Sequence, residues 1–108
     1  MPFETTDVLG RRVILDDTRW GHIQREHPEV REQVIRSTVE DPQLIATSSK
    51  FTASDVYFSL GMDATYPHLY CKVVVDFTDE PGLVLTAMYQ KDLQGANIPG
   101  GIRYGHRR

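Results

Sequence analysis

Cysteine is almost missing from this chain. Cys71 is the only one in 108 residues, which excludes an intrachain disulfide and removes the thiolate clusters that hold structural zinc. No apolar run approaches the roughly 20 residues of a membrane-crossing helix, and Met1-Pro2-Phe3-Glu4 lacks the basic and apolar regions of a secretory leader. These features predict a soluble protein of a reducing compartment, the cytoplasm. An excess of positive charge is lacking as well: the formal net charge is −3. The chain as a whole therefore offers no broad electrostatic footprint for nucleic acid, and any site for a polyanion has to be local.

What is present suffices for one modest core. Apolar residues make up 40% of the sequence, and the length fits a single domain over residues 1–108. Val8, Leu9, Val13, Ile14 and Leu15 alternate loosely around Gly10 and predict a short strand pair. Asp16, Asp17 and Thr18 supply N-capping side chains for a helix over residues 18–26. Pro28 biases His27 out of the helical region and is itself suited to a first helical turn, so a second helix is expected to start there. Val30, Val34, Ile35, Thr38 and Val39 give that helix a broad apolar face, and Asp41-Pro42 ends it. Beyond Pro42 the period changes to that of strands, over residues 43–47, 54–60, 69–77 and 83–89. Residues 91–108 carry four glycines and one proline, predicting a loop-rich tail with an edge strand near residues 102–104.

Side chains alternate across a strand, so each strand divides into two faces. Leu69, Cys71, Val73, Val75 and Phe77 form one apolar face, expected to meet the helices. By the same logic Val56, Phe58 and Leu60, with Leu83, Leu85 and Ala87, join that core. The opposite, open face then collects Tyr57, Ser59, Tyr70, Lys72 and Thr86. Aromatics beside a lysine and hydroxyls suit the stacking of a base and the grip of a phosphate. An ordinary solvent-facing sheet accounts for the same residues, because Tyr and Thr favour strands in any case.

The stretch Trp20-Gly21-His22-Ile23-Gln24-Arg25-Glu26-His27-Pro28-Glu29 carries the densest chemistry. Histidine exchanges protons near neutral pH, and an arginine holds an anion without losing its charge. On a helical wheel Trp20, Ile23 and His27 share one side, with His22, Arg25 and Glu26 opposite. His27 so placed also fits a structural role, its ring satisfying a backbone group at the helix corner. The five-residue separation of His22 and His27 differs from the spacing of a zinc protease motif, and no metal site is expected. Ser48-Ser49-Lys50 follows no glycine-rich loop and is not a phosphate-binding P-loop.

Trp20-Gly21-His22-Ile23, His27-Pro28-Glu29, Asp41-Pro42, Val73-Val74-Val75 and Thr86-Ala87-Met88-Tyr89, in this order, resemble the phage and toxin-type nucleases of the superfamily that groups barnase, EndoU, colicin tRNases and RelE (BECR). The resemblance spans residues 20–89. It implies an α+β fold, with two N-terminal helices packed on one face of a small antiparallel β-sheet and RNA held on the other. It also implies a metal-independent, cofactor-free endoribonuclease that moves the ribose 2′-oxygen onto the adjacent phosphorus and leaves a cyclic phosphate. Carried over, His22 and His27 are acid and base candidates, Lys72 stabilises the phosphate, Thr86 orients it, and Arg25 is a further anion donor. Tyr57, Ser59 and Tyr70 would contact substrate. Met88 interrupts the expected Thr-Ala-Tyr step, so Tyr89 is expected to point to the core. Lys91-Asp92-Leu93-Gln94 is less basic than the resemblance implies, leaving Arg103, His106, Arg107 and Arg108 to restore positive charge. RNA and a cognate antitoxin or immunity protein are the expected partners. The alternative is a noncatalytic module of the same fold that binds RNA or protein.

Overall fold

Asp16 accepts a hydrogen bond from the Arg19 backbone N–H at 2.7 Å, and helix α1 (Asp17–Glu26) begins behind this cap. Asp17 in its first turn and Arg25 in its last complement the helix dipole. The helix stops where Pro28 requires it to. His27 sits at φ −136°, ψ 66°, its N–H closing the final turn onto the Ile23 carbonyl at 2.7 Å. The second helix does not start at Pro28 as expected: Pro28 and Glu29 form a turn, and α2 runs from Glu32 to Glu40.

The computed structural model describes residues 2–105. Around the helices stand seven strands: β1 (Phe3–Thr6), β2 (Arg12–Leu15), β3 (Leu44–Thr47), β4 (Ser54–Leu60), β5 (Tyr70–Asp76), β6 (Gly82–Gln90) and β7 (Ile102–Gly105). All join one sheet in the order β1-β2-β6-β5-β4-β3-β7. The expected two N-terminal helices on a small antiparallel sheet are therefore corrected. Strands β1 and β2 precede the helices, and the sheet is mixed, because β2 runs parallel to β6 with Val13 opposite Gly82 and Ile14 opposite Leu83. Short turns impose antiparallel alternation on β3 to β6, whereas the long connection from β2 to β6 does not. Side chains from near both ends of the strand order also converge on β4. Asp55 on β4 accepts from Arg11, beside β2, at 2.7 Å and from Arg103 on β7 at 2.8 Å, so the sheet curls.

The concave side holds the main core. Ile23, Val34, Ile35 and Val39 from the helices meet Leu15, Tyr57, Cys71, Val73, Val75 and Ala87 from the sheet, all but Val34 fully buried. A second cluster lies on the far side, where Val56, Phe58 and Val74 are covered by Leu44, Tyr70, Leu85, Leu93 and Ala96. This second cluster reverses the expected faces of β4. Val56 and Phe58 lie on the far side under the loop carrying Leu93 and Ala96, and Asp55, Tyr57 and Ser59 turn toward the helices. Apolar content could not tell the faces apart because both are covered. In β6 the register shifts between Val74 and Val75, whose partners are Thr86 and Val84, so Leu85 is an extra residue. Val84 consequently enters the main core and Leu85 the far cluster, the reverse of the expected pattern.

Candidate active site

Strand β2 covers only the first two residues of β6, and α1, which follows Leu15 almost at once, packs beside the rest of that strand. The helix therefore stands at the rim of the sheet and contributes to its far side. There a cavity of about 390 Å³ opens among Arg19, His22, Glu26 and His27 of the α1 segment, Lys50 and Phe51 of the β3–β4 turn, Lys72 and Val74 of β5, and Leu85, Thr86 and Met88 of β6. His22, His27, Lys72 and Thr86, which the sequence singles out from separate places, share this cavity. The helical wheel had put the two histidines on different sides. That projection fails at residue 27, whose backbone has left the helix.

Two of these side chains, His22 and Lys72, are held by neighbours. His22 Nε2 lies 3.4 Å from Glu26 Oε1, one helical turn on. Lys72 donates to the Gln94 carbonyl at 2.9 Å and to Gln90 Oε1 at 3.4 Å. Gly95 is required by this arrangement, since a Cβ there would come within 2.5 Å of Lys72 Nζ and the residue holds φ +97°. Burial, and then the neighbouring charge of Lys50, lower the pKa of Lys72; Asp92 works in the opposite direction. A second cavity of about 410 Å³, lined by Ser49, Lys50, Lys72, Gln90, Gln94 and Gly95, lies on the other side of the two lysines. Across the first cavity Arg19, Lys50 and Lys72 face a single carboxylate, Glu26. Positive charge is thus local in a chain of net charge −3.

Other expected site residues lie elsewhere. Tyr57 and Ser59 are corrected: they are 0% and 1% exposed on the helix-covered side. The Tyr57 hydroxyl donates to Asp7 and accepts from Arg11 at 3.1 Å, and burial first, then Asp7, raise its pKa. Arg103 is likewise engaged with Asp55, away from the cavity. Arg25 is exposed and lines neither cavity. Tyr70 does share the far face with Lys72, where its ring meets Phe58 edge-on at 6.1 Å, but it lines neither cavity. His106, Arg107 and Arg108 lie outside the described residues.

Arg19, Glu26, Lys50 and Phe51 were missed. Glu26 carried a signal, the four-residue spacing from His22, but Lys50 and Phe51 sit in a turn that no periodicity marks. Tyr89 does lie toward the core, and its hydroxyl donates to Asp63 at 2.6 Å. The Cys71 thiol is buried, and burial pushes its pKa up to about 11, so it is an inert core residue. Among the described residues no three His, Cys, Asp or Glu side chains gather as a metal-binding group, and no helix is long and apolar enough to cross a membrane. No family model, curated protein or solved structure matches this chain.

Proposed function

We propose that the cavity between α1 and the far side of the sheet is the active site of an endoribonuclease that needs no metal. The observation that carries this reading is the meeting of two imidazoles, two lysines and a threonine hydroxyl in one cavity. One imidazole takes the proton of the ribose 2′-OH as that oxygen attacks the adjacent phosphorus. The bond from phosphorus to the 5′-oxygen breaks, and the other imidazole, protonated, gives its proton to the leaving oxygen. The products are a 2′,3′-cyclic phosphate and a free 5′-hydroxyl. Lys72 and Lys50 offset the charge that builds on the phosphoryl oxygens, held in place before the reaction rather than reorganised during it. Thr86 orients the same group, and Glu26 steadies the His22 ring.

RNA is then the substrate and the cytoplasm the place of action, with a cognate antitoxin or immunity protein restraining the enzyme by covering the cavity. The test is a digest of single-stranded RNA in the presence of a chelator, followed by analysis of the new ends. Cyclic phosphate on one fragment and 5′-hydroxyl on the other are expected. RNA left intact by the folded protein, yet bound by it, would overturn the reading in favour of a noncatalytic module.

A further inference from the structure

Seven large apolar side chains are strongly exposed among the described residues, and of these Phe51 alone, at 46%, lines either of the two cavities described above. Its position is fixed from behind. Ser48 Oγ accepts from the backbone N–H groups of Lys50 at 3.1 Å and Phe51 at 2.9 Å, forming a tight side-chain-capped turn. The Ser48 N–H is bound by the Ser54 carbonyl and the Ser49 N–H by the Gly95 carbonyl, each at 2.9 Å. The turn is thereby tied to the same loop that holds Lys72. Exposed apolar side chains are common singly; what sets Phe51 apart is that its ring stands on a pinned turn at the rim of the cavity that holds Lys50 and Lys72.

We infer that Phe51 is a stacking platform for one base of a single-stranded RNA, with Lys50 and Lys72 gripping the phosphate beside it. This rests on the ribonuclease reading of the same cavity and extends it to how substrate is held. The chemistry favours a nucleotide over a protein segment. The sheet surface beside Lys72 is apolar, through Val74, Leu85 and Met88, while Lys50 reaches both the Phe51 ring, at 5.4 Å, and the space shared with Lys72. A flat apolar surface next to two cations matches a base joined to a phosphate. The cavity volume of about 390 Å³ falls within the usual range for small-ligand sites.

The test uses a short single-stranded RNA with 2′-O-methyl riboses, which has no 2′-hydroxyl to react, and an abasic oligonucleotide of equal charge. Phe51→Ala should weaken binding of the methylated RNA by about tenfold, the range that loss of one base stack produces. Phe51→Tyr should bind like the parent, and Phe51→Trp should show emission quenched by the RNA and not by the abasic strand. Thermal melting checks that all three variants remain folded. Equal binding by Phe51→Ala and the parent would overturn the inference, as would equal affinity for the abasic strand. Failure of every oligonucleotide to bind would overturn it too, leaving the turn to a protein partner. The two readings separate cleanly. Tight binding with unmodified RNA left intact sinks the ribonuclease and keeps the stacking site, while cleavage unaffected by Phe51→Ala does the reverse.

Discussion

On the helix-covered face Asp55 is 2% exposed and accepts from both Arg11 and Arg103, whereas on the far face, among the described residues, Lys72 donates only to neutral oxygens of Gln90 and Gln94. The first face neutralises its charges internally. Asp7, Arg11, Tyr57, Asp55 and Arg103 form one connected set of hydrogen bonds, with the Arg11 guanidinium also 4.0 Å from the centre of the Phe77 ring. Burial works against the charge of Arg11, but Asp55, Tyr57 and Asp7 outweigh it and hold its pKa above the ordinary value. On the second face neither Lys50 nor Lys72 forms a salt bridge among the described residues. Charge satisfied at home supports the fold, and charge left without an anion is available for a ligand.

Substitutions on the two faces should accordingly fail in different ways. The largest effect is expected at the histidines: His22→Ala or His27→Ala should lower RNA cleavage by roughly 10²–10⁴-fold. Both side chains are partly exposed, so the midpoint of urea unfolding should hardly move. Asp55→Ala should do the opposite, costing roughly 2–4 kcal/mol in urea unfolding by removing the buried carboxylate that Arg11 and Arg103 share and leaving Arg11 with Asp7 as its one carboxylate partner. Arg103 is half exposed and recovers water, which keeps the figure below the cost of a fully buried pair. Cleavage per folded molecule should stay near the parent's. A stability loss at His27 matching that at Asp55, with cleavage retained, would break the contrast between the faces.

A smaller effect links the fold to pH. Asp63 is 2% exposed, and the hydrogen bond from Tyr89 is the main reason its carboxyl titrates below its ordinary value of 3.8, despite burial. The folded value is depressed, so this stabilisation is complete above about pH 3.8 and is lost as pH falls through the folded value. Tyr89→Phe should cost roughly 1.5–3 kcal/mol at neutral pH, the range for a hydrogen bond to a charged group. The difference from the parent should shrink in acid, as read by urea unfolding at several pH values.

Much of this was legible in the sequence, and the failures have physical causes. Strand lengths in β4 to β6 followed from period-two patterning, and the His27-Pro28 corner followed from the steric demand of proline. The phase of β4 was not legible, because Val56 and Phe58 are as apolar as a core face should be and the polar set around Tyr57 needs Asp7 and Arg11 from distant sequence. The bulge at Leu85 leaves no mark in composition. The parallel contact between β2 and β6 spans two residue pairs and is invisible to any local pattern. At the site, His22, His27, Lys72 and Thr86 could be singled out from residue type, strand face and the family resemblance, but Lys50 and Phe51 needed the fold to bring their turn beside Lys72.

In the proposed reaction the far-side cavity turns a ribose 2′-hydroxyl on its own 3′-phosphate. An oligodeoxynucleotide containing one ribose tests this most directly, incubated with the protein in chelator and analysed by mass. A single cut on the 3′ side of that ribose, leaving a 2′,3′-cyclic phosphate, is expected, with no cut in the all-deoxy strand. Cleavage of the all-deoxy strand, or no cleavage of the ribose-containing strand by protein that binds it, would rule this reaction out.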